Sequence, residues 1–255
     1  KIIKHTKKIA IANKEAIICG WNLIKKELKR NKTEFIPVDS EHFSLWYGLR
    51  NLKTKNVEKI ILTASGGPLY KTPLKKFNNI NVAQALKHPN WRMGKKISID
   101  SATLINKIYE VIEAKNIFDT QYNKIEILIH PNSYVHAIVK FNNGLIKMLM
   151  HDTNMRIPIF NSFYRNYEKK ISTKNIDFDI LNNLNFSNVD LIKFPVVNIL
   201  KKMPNKDSLF ETVLVSANDK LVDLFLNKKI TFNQISTLLF KIIKMKEFSK
   251  FKRLK

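Results

Sequence analysis

Leu104, Ile105, Ile108, Val111 and Ile112 recur at the three- and four-residue steps of one helix face, inside a segment from Asp100 to about Phe118 that organises the rest of the chain. The spacing predicts a single helix, opened by the Asp100-Ser101 pair as a cap. Away from the stripe, Asn106 and Glu110 stand four residues apart and Lys107 and Glu110 three, so an amide, an ammonium and a carboxylate share one surface. A serine, an asparagine and a lysine near a helix N-terminus suit a phosphate. A carboxylate one turn later suits a hard cation. Read alone, the same surface also fits an ordinary solvated face with an exposed ion pair.

Upstream, a basic helix-like segment (1–8) feeds a short apolar strand from Ile9 to Ala12, and a helix follows from Ala16 to Leu28. A second strand, Glu34 to Val38, runs into Asp39-Ser-Glu-His42. If that run is extended, alternate side chains share a face, so Asp39 and Glu41 point one way and make half of an oxygen-ligand metal site; a charged loop start fits as well. His42 to Leu52 reads as a helix and Lys59 to Thr63 as a strand ending in Ala64-Ser-Gly-Gly-Pro68. Glycines there let backbone N–H groups turn toward an anion beside the Ser65 hydroxyl, although turn formation alone also explains Gly-Gly-Pro. The stretch His88-Pro-Asn-Trp-Arg-Met-Gly94 suits a loop that closes over a ligand, or a surface loop whose Trp91 packs on the core.

Three strands, Lys124 to Ile129, Tyr134 to Phe141 and Leu145 to Met150, the last two joined at Asn143-Gly144, suggest an antiparallel meander. His130 and His136 flank its first turn without companions at zinc-ligand spacing, so both read as hydrogen-bonding residues. A helix from Met155 to about Tyr167 precedes a polar connector at 169–193. From Pro195 to Leu239, apolar stripes (Val196, Val197, Leu200; Val213, Leu214, Ala217; Leu221, Leu224, Phe225) separated by short polar breaks predict a small helical subdomain, and 249–255 reads as a frayed basic tail. The fold class is α/β: an α+β domain with a mixed sheet, followed by a small C-terminal helical bundle.

With 255 residues, 44% of them hydrophobic, the chain can form one large or two small domains. The net charge of +24 is spread along the sequence, Lys far outnumbers Arg, and Asn and Ile are abundant, as in proteins coded by AT-rich genomes. No nucleic-acid reading motif accompanies the charge, so nucleic acid is not the expected partner. No apolar run spans a bilayer, which argues against a membrane partner. The single cysteine, Cys19, excludes an internal disulfide and fits a reducing compartment. Residue 1 is Lys, which suggests a piece of a longer protein.

Seven motifs in one order carry a specific resemblance: Ala12-Asn-Lys-Glu15, Pro37-Val-Asp-Ser-Glu-His42, Ser65-Gly-Gly-Pro68, His88-Pro-Asn-Trp-Arg-Met-Gly94, Asp100-Ser-Ala-Thr with Asn106-Lys107 and Glu110, Ile129-His-Pro-Asn-Ser133 with His136, and Met155-Arg-Ile-Pro158. From residue 1 to about 240 the chain resembles 1-deoxy-D-xylulose 5-phosphate reductoisomerases. The resemblance implies a homodimeric, NADPH-dependent enzyme that rearranges a sugar phosphate by retro-aldol cleavage and re-addition, then reduces the aldehyde to 2-C-methyl-D-erythritol 4-phosphate. It implies Asp39, Glu41 and Glu110 as ligands of Mg²⁺ or Mn²⁺, and a phosphate site at Ser65, Ser101, Asn106 and Lys107. Lys14, Ser40, Glu41 and His88 match residues that hold the sugar backbone, with Lys14, Glu41, His88 and Glu110 as the catalytic set. Trp91 and Met93 match a mobile flap, His136 and Met155 the pocket near the reaction centre, and Asn13, Glu15 and Gly94 contacts to NADPH. By the same resemblance, 1–38 is the remnant end of an N-terminal Rossmann-type NADPH domain, 39–168 the catalytic domain, 169–193 a linker and 194–255 the helical subdomain. Ala64, Ala16 and Ile108 stand where the family more often has Gly, Ser and Gly. A rival reading is a catalytically dead remnant kept as a folding or dimerisation module.

Overall fold

The structure, a computed structural model, describes residues 1–50, 52, 54–164 and 169–253. The apolar run at the start forms β1 (Lys8–Ile11), which pairs in parallel with β2 (Glu34–Pro37). The crossover between them is α1 (Lys14–Asn31). Asn13 caps α1 by accepting a hydrogen bond from the Ala16 N–H at 2.7 Å. The helix buries Ile17, Ile18, Trp21 and Leu28.

A second sheet has five strands in the order β6 (Ile146–Met150), β5 (Val135–Phe141), β3 (Val57–Ala64), β4 (Ile125–Ile129) and β7 (Ser187–Asn188). Strand β3 lies at its centre, parallel to β4 and antiparallel to β5. The sheet is therefore mixed, and the expected three-strand meander does not form: only β5 and β6 make a hairpin, at Asn143-Gly144. Strand β3 takes the place between β4 and β5 because its side chains are largely buried on both faces, with Val57, Ile60, Leu62 and Ala64 in the core. The polar stretch 169–193 is more than a connector, since it supplies the short helix α7 (Phe178–Asn182) and the edge strand β7.

Between β2 and β3 lies α2 (Ser40–Gly48), and between β3 and β4 come α3 (Val82–Leu86), α4 (Lys95–Thr103) and α5 (Ile105–Ile117). The single helix expected from Asp100 is thus two. Asp100 and Ser101 sit in the last turn of α4, not at an N-cap, and Leu104 breaks the run in a left-handed conformation with φ 63°. Helix α5 is buried on nearly all sides, packing on β3, β4 and α1. Ile105, Ile108, Tyr109, Val111 and Ile112 are wholly buried, each such Ile or Val contributing roughly 1.5–3 kcal/mol. The solvated-face reading of Lys107 and Glu110 fails on the same ground: they are 4% and 2% exposed.

After α6 (Arg156–Phe163), the helix expected from Met155 runs into residues 165–168, which lie outside the described residues. The C-terminal part folds as a 3-10 segment Pro195–Lys202, α8 (Phe210–Leu226) and α9 (Phe232–Lys244). Two of the expected stripes belong to one continuous helix, α8. The described part of the tail is held down: Leu209 donates to the Phe251 carbonyl at 3.2 Å, and the Lys252 ammonium sits over the Phe210 ring. Edge-to-face contacts of Phe77 with Phe194 and Phe232, and of Phe232 with Phe225, join these helices to the layer above the sheet. One apolar core runs through both parts. No helix among the described residues is long and apolar enough to cross a membrane.

Candidate active site

A cavity of about 260 Å³ opens where β1, α2, β3, α4 and α5 converge. Its walls include Lys14, Asp39, Ser40, Glu41, Ser65, His88, Trp91, Met93, Ser101, Asn106, Lys107, Glu110, His136 and Met155. Fourteen of the seventeen residues singled out from the sequence therefore meet in one place. The other three, Asn13, Glu15 and Gly94, do not line it. Asn13 and Gly94 are exposed, and Glu15 is ion-paired with Lys96 at 2.6 Å.

Three carboxylates form the cavity's acidic corner. Asp39 and Glu41 flank Ser40 at the start of α2, and Glu110 comes from the second turn of α5. The extended geometry expected for 39–42 is wrong, because the helix begins at Ser40. Glu41 nevertheless turns inward from the first helical turn, so one oxygen of each carboxylate lies within 4.8 Å of the others. Two ammonium groups sit among them. Lys14 Nζ is 3.0 Å from Asp39 Oδ2 and 3.3 Å from Glu110 Oε1, and donates to Asn106 Oδ1 at 2.7 Å. Lys107 donates to Glu41 Oε1 at 2.7 Å and contacts Glu110 Oε2. Burial alone lowers Lys14, but the Asp39, Glu110 and Glu113 carboxylates reverse this and hold it well above ordinary lysine. Burial and the Glu110 charge push Glu41 up to about 7.

The donor set fits a divalent cation. It is all oxygen, as Mg²⁺ and Mn²⁺ prefer. Three carboxylates meet within 4.8 Å of one another against two ammonium groups, Lys14 and Lys107, so the corner has room for a further positive charge.

The rest of the cavity suits an anion and a polyol. The break at Leu104 turns α5 so that its N-terminal end, where the helix dipole is positive, lines the cavity with Leu104, Asn106 and Lys107. Across from it runs the Ser65 loop. Gly67 has φ +69°, and a Cβ there would lie 2.5 Å from the Ser101 carbonyl oxygen, so this loop backs directly onto the last turn of α4. Its N–H donates to Ser65 Oγ at 3.0 Å. His88 Nδ1 accepts from the Asn90 and Trp91 N–H groups at 3.1 and 3.0 Å. The proton of a neutral ring is therefore on Nε2, which donates to Ser65 Oγ at 3.1 Å. Burial holds His88 down to about 4, so the ring is neutral at pH 7.

His136 and His130 play the hydrogen-bonding parts expected of them. His136 Nε2 donates to the His151 carbonyl at 3.1 Å and its ring stacks on His151, while His130 Nδ1 donates to the Asn185 carbonyl at 2.9 Å. Ile108 and Ala64 are absorbed by the core. The cavity also contains Ala12, Thr63, Arg92, Ile97 and Ser133, to which the sequence assigned no role. They carry no separate signal; only neighbouring motif positions point to Arg92 and Ser133. Asn90 donates to Ser133 Oγ and to the Pro131 carbonyl at 2.8 and 2.7 Å, tying the Trp91 loop to the end of β4.

Residues 35–118 match the family model of the 1-deoxy-D-xylulose 5-phosphate reductoisomerase C-terminal domain, and 150–255 match that of the DXP reductoisomerase C-terminal domain. The chain is 66% identical over 254 residues to the 1-deoxy-D-xylulose 5-phosphate reductoisomerase of Pelagibacter ubique (strain HTCC1062), with 100% of this chain and 66% of that protein covered. It is 41% identical over 249 residues to that of Sulfurihydrogenibium sp. (strain YO3AOP1), covering 98% of this chain and 65% of the relative. The chain thus spans about two thirds of the length of these relatives. Among solved structures, the Zymomonas mobilis reductoisomerase in complex with NADPH superposes with a TM-score of 0.84 at 30% identity, over 98% of this chain and 67% of that one. A DOX-P reductoisomerase in complex with NADPH, fosmidomycin and magnesium gives 0.86 at 29% identity, over 98% and 64%.

Proposed function

The chain belongs to the 1-deoxy-D-xylulose 5-phosphate reductoisomerase family, and on that premise we propose that it is the metal- and substrate-binding part of an enzyme that converts 1-deoxy-D-xylulose 5-phosphate to 2-C-methyl-D-erythritol 4-phosphate. The observation that carries this reading is the convergence of Asp39, Glu41 and Glu110 in one cavity with Ser65, Ser101, Asn106 and Lys107. Mg²⁺ or Mn²⁺ supplies Lewis acidity to the substrate's oxygens and NADPH supplies the hydride.

The protein's own groups bind and orient. Asp39, Glu41 and Glu110 hold the cation. Ser65, Ser101, Asn106 and Lys107 hold the phosphate, helped by the N-terminus of α5. Lys14, Ser40 and the neutral His88, whose Nε2–H must first leave Ser65 Oγ, hydrogen-bond the sugar oxygens, which fixes the reacting carbons in one geometry. Trp91 and Met93 close the cavity against water. His136 and Met155 wall it beside the reaction centre. Asn13, Glu15 and Gly94 are the chain's contacts to NADPH, and for Glu15 this role requires release from Lys96. We also assign 39–168 to catalysis and 194–255 to the helical subdomain.

The same proposal includes a cytoplasmic homodimer. Strand β6 is an unpaired sheet edge whose Ile146, Met148 and Met150 are 61%, 41% and 42% exposed beside Leu145 at 65%, a surface suited to a second copy.

The test is calorimetric titration of this chain with 1-deoxy-D-xylulose 5-phosphate, with and without Mn²⁺. Metal-dependent binding is expected. No binding by a folded sample overturns the proposal.

A further inference from the structure

Neither His42 nor Glu113 lines the cavity, yet both touch its acidic corner from behind. His42 follows Asp39 by three residues on α2, and Glu113 follows Glu110 by three on α5, so each stands one turn past a carboxylate of the site. His42 Nε2 donates to the Glu110 carbonyl oxygen at 2.8 Å. That bond fixes the ring and turns Nδ1 toward Asp39 Oδ1 at 3.4 Å and Glu113 Oε2 at 3.9 Å. The His42 and Glu113 side chains are 0% and 1% exposed. Asp39 Oδ1, His42 Nδ1 and Glu113 Oε2 are all buried without a hydrogen-bond partner, and they face one another. A carboxylate sunk in the core is costly unless a partner holds it, and nothing in the binding of sugar, phosphate or cation uses Glu113.

We propose that Glu113 is a positioning residue for the cation site: acting through the His42 imidazole, it holds Asp39 by Oδ1 and so keeps Oδ2 turned to the cavity. Oδ2 is the oxygen that already faces a positive group, Lys14 Nζ at 3.0 Å. Both carboxylates face the one nitrogen Nδ1, and because Nε2–H is given to the Glu110 carbonyl, Nδ1 donates to Asp39 only as part of an imidazolium, the form that a second buried carboxylate beside it favours; hydrogen-bonded partners behind a ligating carboxylate orient it in metal sites elsewhere. The arrangement anchors α2 to α5, the two elements that between them supply all three acidic ligands. The inference rests on the reading of Asp39, Glu41 and Glu110 as cation ligands.

The test is Mn²⁺ binding to the 255-residue chain, followed by the loss of the free-ion electron paramagnetic resonance signal, for wild type, Glu113→Gln, His42→Gln and the double variant. Circular dichroism reports whether each is folded. Wild type is expected to bind one Mn²⁺. Each single variant is expected to bind one ion with affinity about 10- to 100-fold weaker. The double variant is expected to lose no more than either single one, since the two residues act in series. Wild-type affinity in Glu113→Gln overturns the inference while leaving the cation site standing. Additive losses overturn the relay through His42. Two ions per wild-type chain also overturn it, by making Asp39, His42 and Glu113 a cation site of their own. No Mn²⁺ binding by folded wild type removes the cation-site reading and the inference with it. If Glu113→Gln does not fold, His42→Gln decides alone, and wild-type affinity in that variant overturns the proposal.

Discussion

Lys107 is a buried ammonium held by two carboxylates, Glu41 and Glu110, and it lines the cavity that we assign to a sugar phosphate. Lys107→Ala is expected to weaken substrate binding by about 1.5–3 kcal/mol, the loss of one charge-assisted contact. It is not expected to weaken Mn²⁺ binding, because the lysine neutralises the same carboxylates the cation needs. Calorimetry with each ligand separates the two; a parallel loss of both would mean that Lys107 shapes the acidic corner and does not serve the phosphate. His88 offers a test by pH. Its folded-state pKa is depressed from 6.5 to about 4 by burial, so its contribution to stability is complete above about 6.5 and is lost as pH falls toward 4. Wild type is therefore expected to lose thermal stability relative to His88→Asn between pH 6.5 and 4, read from melting curves. Curves that stay parallel would place His88 in an open, freely protonated position.

Individual side chains act here because the elements carrying them are set by a few backbone features. Gly67 is one: its φ of +69° and the 2.5 Å approach of a Cβ to the Ser101 carbonyl leave room for no other residue. Gly67→Ala is expected to destabilise the chain by more than about 1 kcal/mol and to weaken phosphate binding, measured by denaturant titration and calorimetry. Unchanged values would mean that the Ser65 loop moves freely away from α4. The Gly-Gly pair was legible in the sequence as a special backbone. The break at Leu104 was not, because a leucine at φ 63° carries none of the usual signs of a helix end, and the apolar spacing runs smoothly across it. The helical backbone at Ser40 is hidden for a related reason: Asp39 and Glu41 share a face in an extended segment, but Ser40 starts a helix. The acidic pair holds in either conformation, because a first helical turn also brings Glu41 to the cavity. The parallel pairing of β3 with β4 lay beyond local signals, since nothing near Lys124 or Tyr134 shows that a strand some sixty residues earlier inserts between theirs. His42 and Glu113 were invisible as a pair, since only the fold brings α2 against α5.

At the scale of the whole molecule, one core joins the sheet layer to the C-terminal helices, and β6 is an edge strand with exposed apolar side chains. If that edge is the dimer surface, Met148→Lys is expected to shift the chain to monomer in sedimentation velocity while leaving its circular dichroism intact; a dimer that persists would send the search to another face. The two lysines in the acidic corner have a consequence that reaches across the whole site. Lys14 and Lys107 spend their charge on the carboxylates as long as nothing else does. A divalent ion bound there would release both ammoniums toward an anion sharing the cavity. The two ligands would thereby be coupled, and coupling is reciprocal: the factor by which Mn²⁺ tightens inorganic phosphate must equal the factor by which phosphate tightens Mn²⁺. Such a site would act as a coincidence detector, gripping firmly only when cation and anion are present together and releasing both when either leaves.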